Sequence, residues 1–288
     1  MTGRWLERIG LAVILFVLTG FPLLAGTGTG PSCADHGPTG RAVLVAAEGD
    51  LLTVGNIRGR LLNAPTVPRD ERVFASGQAV IDPRLTDEIY FILKPFPPEW
   101  LFGHGYIVMT FKPGGFIGPR GEQAEGLVVS FEAYRYPNQT IDFIWKGTHK
   151  VYPNIAVVST WEDYSMLECG VDGRKLQAYH LRLTPEQKIA FTRTAVLEGT
   201  RDRPDDYYNT LSSSCVTHQV EMINSVLPPS QRLQLKLLGS HVVNPKASFP
   251  TILPKAYMKL GVFDPSSVTI DRSNYIIPLG RLCSPAGK

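Results

Sequence analysis

The chain lacks any block of lysine and arginine residues, and its formal net charge is only +3. Nucleic-acid binding generally needs a concentrated basic surface, so the sequence argues against a nucleic-acid partner. No group of histidine, cysteine and carboxylate residues has the spacing of metal ligands, so we predict no metal and no other cofactor. Internal repeats and low-complexity segments are also missing. These absences favour a globular protein whose chemistry relies on its own side chains.

The composition is that of an ordinary folded protein. Hydrophobic residues make up 43% of the chain and charged residues 19%, which is enough apolar material to bury a core. The length of 288 residues suits one large domain or two small ones.

The N-terminal segment differs from the rest of the chain. Arg4 and Arg8 precede an apolar stretch, residues 9–25, that carries no charge. Such a segment is typical of a secretory signal or a membrane anchor, and in both cases the basic end stays inside while the body is exported. Residues 26–41 are rich in glycine, threonine and proline and predict a linker. Because the linker has no small-x-small cleavage motif, we favour a retained anchor over residues 1–25 and a periplasmic, membrane-tethered body.

The four cysteines leave two interpretations open. Exported proteins commonly pair their cysteines, so two disulfides could form among Cys33, Cys169, Cys215 and Cys283. If Cys215 is kept free for chemistry, at most one disulfide can form among the other three.

Short apolar runs separated by turn residues predict an α+β fold with an antiparallel sheet packed on helices. The expected strands cover residues 42–47, 51–54, 88–93, 104–111, 127–134, 154–160 and 175–183. The expected helices cover residues 184–198, 215–227 and 254–260, the first opening on Thr184, Pro185 and a capping-box Gln187. Prolines exclude regular structure from residues 94–102, and residues 112–126 form a glycine-rich loop. We predict a single domain over residues 42–288.

Two short segments far apart in the chain carry side chains that suit a thiol nucleophile. Gly103, His104 and Gly105 open a predicted strand, and Cys215 opens a predicted helix. A helix N-terminus stabilises a thiolate and offers free backbone N–H groups, while an imidazole can take the thiol proton. Glycines on both sides of His104 allow a ligand or another chain segment to approach the backbone closely. If the segments meet, they form a cysteine nucleophile site; the alternative is a buried structural cysteine.

A second histidine competes for the role of base. His218 lies one helical turn after Cys215, on the same face of the predicted helix. A partner at that spacing sits beside the thiol rather than across a cleft, so His104 is the favoured base. Three other histidines have no evident partners in the sequence, and we expect them at the surface or in loops: His149, His180 and His241.

The segments around these residues resemble a known group of proteins. The similar stretches are Phe102-Gly103-His104-Gly105, Leu127 to Ala133, Leu183-Thr184-Pro185-Glu186, Tyr208 to Cys215 and Phe249 to Pro254. They resemble the circularly permuted members of the papain-like NlpC/P60 superfamily, such as the lecithin-retinol-acyltransferase-like proteins. The chain is more similar still to the exported bacterial DUF4105 group, which includes the Lnb-type lipoprotein N-acyltransferases. The resemblance covers residues 88–261.

The resemblance implies a circularly permuted papain-like core and a thioester mechanism. Cys215 would accept an acyl chain from a lipid and pass it to an amine, with His104 as general base and acid. In this superfamily a polar residue on the next strand orients the histidine. Ser130 and Glu132 share one face of that strand, and Glu132 is the better candidate because a carboxylate stabilises the imidazolium.

The chain departs from the family pattern directly before the cysteine. Family members usually have an asparagine there, whereas this chain has Ser214, with Asn209 six residues upstream of the cysteine. The departure puts the role of the asparagine in question but leaves the nucleophile in place.

Aromatic residues near His104 suggest an apolar substrate. Trp100 and Phe102 lie in a proline-rich loop that runs into His104, and Phe116 lies at the apolar tip of a loop expected across the site. Aromatic residues at a site entrance suit a membrane interface and acyl chains. The alternative is that Trp100 and Phe102 pack the core beneath the loop. The expected substrate-binding residues are Trp100, Phe102, Tyr106, Phe116 and Ser214.

We predict an exported thiol acyltransferase that moves a fatty acyl chain from a phospholipid or lipoprotein, through a Cys215 thioester, to an amine. Its partners would be the lipid or lipoprotein substrate and the membrane. One alternative uses the same Cys215 and His104 in an amidase or peptidase that acts on peptidoglycan, for which an open polar cleft would be expected. The other is a non-catalytic exported binding module in which Cys215 forms a disulfide with Cys169.

Overall fold

The computed structural model describes residues 41–68, 71–134, 139, 142, 146–237 and 242–283. The strands are β1 (Val43–Glu48), β2 (Leu51–Leu61), β3 (Phe74–Ile81), β4 (Thr86–Pro95), β5 (Gly103–Phe111), β6 (Phe116–Ile117), β7 (Gly126–Ala133), β8 (Asn154–Thr160), β9 (Leu176–His180), β10 (Lys236–Leu237), β11 (Val242–Val243) and β12 (Val268–Ile270). The α-helices are α1 (Trp161–Ser165), α2 (Pro185–Thr200), α3 (Cys215–Val226), α4 (Pro245–Ser248), α5 (Leu253–Lys259) and α6 (Leu279–Leu282). A π-helical segment, Met166–Val171, continues α1.

The predicted signal or anchor over residues 1–25 lies outside the described residues, as does nearly all of the predicted linker. Within the described ranges, no helix combines the length and the apolar composition needed to cross a membrane. The first described strand is β1, which pairs with β2.

Ten strands form one sheet in the order β12-β9-β4-β5-β7-β8-β2-β3-β6, with β1 paired to β2. Neighbouring strands run antiparallel except for β2 and β8, which are parallel where Arg58 meets Ser159. The α+β class is confirmed, whereas the predicted antiparallel sheet is corrected to a mixed one. The difference arises because β8 reaches β2 from far along the chain, and local sequence patterns do not encode such a pairing.

Different helices cover the two faces of the sheet. One side, which we call the α2/α3 face, carries a large apolar core that includes Met109 of β5 and Val216 of α3. The other side, the α1 face, carries a smaller core that includes Val108 of β5 with Trp161 and Tyr164 of α1. The central strand β5 is therefore buried on both faces, so groups at its ends are held by a rigid support.

Most predicted elements are present, with bounds that differ by a few residues, but residues 41–81 are more regular than expected. They contribute β1, an eleven-residue β2 and β3 to the main sheet. Strand β3 has no counterpart among the predicted strands because Gly77 and several small or polar residues interrupt its apolar pattern. In the structure Pro119 packs where a side chain at Gly77 would lie, 2.7 Å from the position of the missing Cβ.

Reciprocal capping boxes open α2 and α3. The Thr184 hydroxyl accepts the N–H of Gln187, and the Gln187 amide oxygen accepts the N–H of Thr184, as predicted. Ser214 and Thr217 make the same exchange at α3. Each box satisfies two backbone donors near a helix start, so the position of the first turn of α3 is fixed by hydrogen bonds.

The prediction that His180 is a surface or loop residue without partners is wrong. It ends β9, and its Nδ1 lies 2.7 Å from Asp264 Oδ2 while its Nε2 lies 2.7 Å from Glu88 Oε2. Burial opposes ionisation of the imidazole, but hydrogen bonds to the two carboxylates outweigh it and raise the His180 pKa above 6.5. His149 is exposed, as predicted, and His241 lies outside the described residues.

Replacing His180 with glutamine should lower the free energy of unfolding by about 1–2 kcal/mol near pH 6. A histidine with a raised folded-state pKa contributes stability that is complete below its unfolded pKa and is lost as the pH rises through the folded pKa. The loss caused by His180→Gln should therefore shrink by pH 9. Urea unfolding at both pH values measures it, with the exposed His149→Gln as the matched control. An equal loss at both pH values would contradict an ion pair between protonated His180 and its two carboxylate partners.

Candidate active site

The candidate site lies where the first turn of α3 meets the start of β5. A side chain added at Gly105 would come within 2.7 Å of Phe91 and 3.5 Å of Val216. The helix start and the core therefore both pack directly on the strand backbone at this glycine. The close approach expected at Gly105 is present, and the approaching segment is the turn that carries Cys215.

The Cys215 thiol is buried, at 2% exposure, and the Tyr208 hydroxyl lies 4.0 Å from its sulfur. Burial raises the pKa of the thiol above its ordinary 9.0, and the backbone N–H groups of Gly105 and Val216 together with the Tyr208 hydroxyl offset only part of that rise. The thiol is therefore neutral near pH 7 and needs a base before it can act as a nucleophile.

Strand β7 pairs with most of β5 but not with the start of β5, where His104 lies. Their pairing reaches Tyr106 and Ser130 and goes no further towards the start of β5, although β4 stays paired with β5 as far as Gly103. The pairing of β5 with β7 therefore stops before it reaches Gly105 and His104.

The imidazole of His104 lies on the α1 face, where its ring centroid is 5.7 Å from that of Tyr106. Its Nε2 is 2.8 Å from Ser130 Oγ, and Ser130 Oγ donates to Glu132 Oε1 at 3.1 Å. Glu132 Oε1 is 3.8 Å from the same nitrogen. The structure thus places Glu132 beside His104, with Ser130 as the direct partner between them. Cys215 reaches the same strand end from the α2/α3 face.

Glu132 supplies a fixed negative charge next to the imidazole. Its carboxylate also accepts a hydrogen bond from the Tyr164 hydroxyl at 3.2 Å. Burial opposes ionisation of Glu132, but the charges of His104, Arg58 and Lys94 outweigh it and lower the Glu132 pKa. The arrangement can hold and orient an imidazolium.

His218, the competing base, belongs to a separate polar cluster. Its Nε2 accepts from the Asn154 side-chain amide at 2.8 Å. Ser213 Oγ lies 3.2 Å and Asp206 Oδ2 lies 3.5 Å from the same nitrogen. The cluster ties the segment before α3 to the start of β8, so His218 helps to hold the helix start in place.

Asn209 builds the turn that leads into α3. Its side-chain oxygen accepts the N–H groups of Leu211 and Ser212, and its amide donates to the Thr148 carbonyl at 3.1 Å. The asparagine that stands six residues before the cysteine therefore has a structural role in this loop.

Two of the predicted substrate-binding residues lie in the loop beside His104. Trp100 is 66% exposed, so it does not pack the core beneath the loop. Phe102 is half-buried and stacks on Phe96, with ring centroids 6.2 Å apart. The loop thus presents one exposed aromatic side chain on a packed aromatic base.

The other three predicted substrate-binding residues have structural positions. Tyr106 is fully buried, and its hydroxyl has no hydrogen-bond partner in the described part of the chain. Phe116 is fully buried against Phe111 at the far end of β5. The expectation that its loop crosses the site is wrong, because the nine residues of β5 separate the two. Ser214 is buried and caps α3.

Three residues near the site are absent from the predicted set of functional residues. Ser130 bonds His104, Tyr208 lies beside Cys215, and Arg58 influences Glu132. Ser130 has a signal in the sequence, since it shares a strand face with Glu132. Tyr208 and Arg58 reach the site through a loop and a long-range strand pairing, which leave no local pattern.

The cysteines of the described ranges, Cys169, Cys215 and Cys283, are free thiols. Cys169 lies in the core of the α1 face and Cys215 in that of the α2/α3 face. The disulfide between them that a non-catalytic binding module would use is therefore not formed. Cys33 lies outside the described residues. Among the described residues, no three or more His, Cys, Asp and Glu side chains are grouped to hold a metal ion.

A family model described as the Lnb N-terminal periplasmic domain matches residues 76–251. The matched span runs from β3 to the residues before α5 and contains His104, Ser130, Glu132 and Cys215. No curated protein and no solved structure matches the chain. The description of the family as a periplasmic domain supports the exported location.

Labelling of Cys215 by iodoacetamide should be slow at pH 7 and should reach half its maximal rate only above pH 9, because burial keeps the thiol protonated. Tyr208→Phe should move the profile to higher pH, since the hydroxyl lowers the thiol pKa. Mass spectrometry of the Cys215 peptide measures the rate, and Tyr207→Phe is the neighbouring control. A half-maximum below pH 8 would show that the thiol is already activated.

Proposed function

We propose that this chain, which belongs to the Lnb N-terminal periplasmic domain family, is a cysteine acyltransferase. It would move a fatty acyl chain from a phospholipid or lipoprotein, through a thioester on Cys215, to an amine. The observation that carries the proposal is the position of the thiol. Cys215 opens α3, whose first turn packs on β5 at Gly105, one residue from His104.

We infer that the core is arranged as in the circularly permuted papain-like proteins and the DUF4105 group. Three features support this. The histidine strand precedes the cysteine helix in the chain, the helix packs on the sheet through its first turn, and the next strand, β7, supplies the polar partners of the histidine.

The first step would be transfer of the thiol proton to His104. Because Ser130 donates to Glu132, its oxygen accepts the Nε2–H of His104, which makes Nδ1 the unprotonated nitrogen. Nδ1 would take the proton of Cys215 at the end of β5, beyond its pairing with β7. The ionised Glu132 would stabilise the imidazolium that results.

The thiolate would then attack the ester carbonyl of the donor. A carbon–sulfur bond forms, the ester carbon–oxygen bond breaks, and His104 returns its proton to the leaving alcohol. In the second half the amine attacks the thioester, His104 takes a proton from the nitrogen, and Cys215 recovers its proton as the amide is released. Backbone N–H groups at the start of α3 would stabilise the oxyanion in both halves.

The exposed Trp100 supports a lipid donor. Tryptophan is favoured at membrane interfaces, where one end of the ring is apolar and the other is wet. With an anchor over residues 1–25, as the sequence predicts, the loop of Trp100 would hold the site at a bilayer surface. An amidase that acts on peptidoglycan would use the same thiol and imidazole but would have no need of an exposed tryptophan beside them.

Full-length protein isolated from membranes should carry a fatty-acyl adduct on Cys215 that hydroxylamine removes, as expected for a thioester. Cys215→Ala should carry none, and His104→Ala should form the adduct at least about 100-fold more slowly, because general base catalysis is lost. Intact mass and peptide mapping measure the adduct, with Cys169→Ala as the matched thiol control. A wild-type protein with an alkylatable Cys215 but no adduct would favour the amidase.

Ser130→Ala and Glu132→Gln should each slow thioester formation about tenfold or more. The double variant should be little slower than either single variant, because both residues act on His104 as one hydrogen-bonded chain. Single-turnover acylation of Cys215 measures the three rates. Ser165→Ala, which removes another buried serine hydroxyl, should leave the rate unchanged. If the rate loss of the double variant equals the product of the two single losses, Ser130 and Glu132 act independently.

A further inference from the structure

Arg58 on β2 lies near the candidate site with its side-chain donors unpaired. Its guanidinium carbon is 4.8 Å from the ring centre of Phe74 and 5.0 Å from that of Tyr164. Its carbonyl accepts a hydrogen bond from Ser159 at 2.7 Å, so its backbone is fixed while the side chain stays half-buried. Across the described ranges, no carboxylate lies within ion-pair distance of the guanidinium and no hydrogen bond uses it.

Two other partly buried cations in the described structure have carboxylate partners. Arg72 makes two bonds to Asp172, at 2.7 and 3.0 Å. Lys94, on the same face of the sheet as Arg58, pairs with Glu168 at 2.8 Å. Arg58 instead keeps its charge between two aromatic rings, which attract a cation without occupying its N–H donors. Its donors therefore remain available to a ligand.

Arg58 lies close to the groups that would perform the chemistry. Its charge helps to lower the pKa of Glu132, and Tyr164, which contacts the guanidinium, donates to Glu132 at 3.2 Å. Glu132 is in turn 3.8 Å from His104. An anion bound to Arg58 would therefore lie on the α1 face, the same face of the sheet as the imidazole.

We propose that Arg58 binds a phosphate group, presented by a glycerophospholipid as the acyl donor. A guanidinium offers N–H groups in a planar fork that matches two phosphate oxygens, and the rings of Phe74 and Tyr164 hold its plane. The ester groups of such a lipid are joined to its phosphate through glycerol, so a phosphate on Arg58 would direct an ester carbonyl towards His104. The identity of the donor rests on the proposed function, whereas the phosphate contact does not.

The test measures binding to Cys215→Ala protein, which cannot form a thioester. Isothermal titration with dihexanoyl phosphatidylglycerol, below its micelle-forming concentration, gives the Kd. Arg58→Gln should weaken binding about ten- to hundredfold, as expected for loss of a charge-assisted bidentate contact. Arg58→Lys should be intermediate, because it keeps the charge but loses the fork. Arg60→Gln removes the same charge from an exposed position on β2 and should change the Kd less than about twofold.

Titration with inorganic phosphate separates the two sources of the phosphate. Tighter binding of the lipid than of phosphate, with both weakened by Arg58→Gln, supports the lipid headgroup. If the lipid and inorganic phosphate bind with equal affinity and Arg58→Gln abolishes both, the lipid donor is overturned and the site is one for free phosphate. Unchanged lipid affinity in folded Arg58→Gln and Arg58→Lys proteins would overturn the inference. If Arg58-dependent binding is found but Cys215 never carries an acyl adduct, acyl transfer fails and the phosphate contact stands.

Discussion

The first turn of α3 packs against bare backbone at Gly105, and the rest of the candidate site depends on that contact. A methyl group at Gly105 would come within 2.7 Å of Phe91, so helix, strand and core meet there only because the residue is glycine. Overpacking at such a point forces backbone or rotamer shifts. The capping box of Ser214 and the cluster around His218 hold the helix start from its other side. The burial of the Cys215 thiol near the start of β5 follows from this packing.

The sheet separates a neutral thiol from charged groups. On the α2/α3 face the thiol lies in an apolar core, and burial keeps it protonated. On the α1 face Glu132 is kept ionised by nearby positive charge, and Lys94 pairs with Glu168. In the proposed mechanism, charge would develop at Cys215 by proton transfer to His104 at the end of β5 that is not paired with β7.

The parts of the structure that could be predicted are those with local signals. The capping box at Thr184, the start of α3 at Cys215 and the strands β5, β7 and β8 follow from residue pattern and helix-end chemistry. The parts that could not be predicted depend on contacts between distant segments. Strand β3 has a weak pattern, the parallel pair of β2 and β8 is long-range, and the two partners of His180 come from two distant segments.

The same limit applies within the candidate site. Strand alternation places Ser130 and Glu132 on one face but does not decide which of them meets His104. The register pairs Ser130 with Tyr106 and, if continued, would set Glu132 opposite His104, but the pairing ends at Tyr106. The imidazole Nε2 lies nearer to Ser130 Oγ, at 2.8 Å, than to Glu132 Oε1, at 3.8 Å. The prediction that Phe116 binds substrate failed for a different reason. Phe116 is close to His104 in sequence, but its side chain is buried at the other end of β5.

The serine between His104 and Glu132 has a physical consequence, which the contrast with His180 shows. His180 lies 2.7 Å from two carboxylates, and its pKa is raised, so such an imidazole is poorly suited to accept a proton. At His104 a neutral hydroxyl makes the direct contact with Nε2, at 2.8 Å, and the nearest Glu132 oxygen is 3.8 Å from that nitrogen. The attraction between two charges falls with the distance between them, so the serine separates the imidazole from the full effect of the carboxylate. In the proposed reaction Glu132 would still stabilise the imidazolium that forms when the thiol proton is transferred.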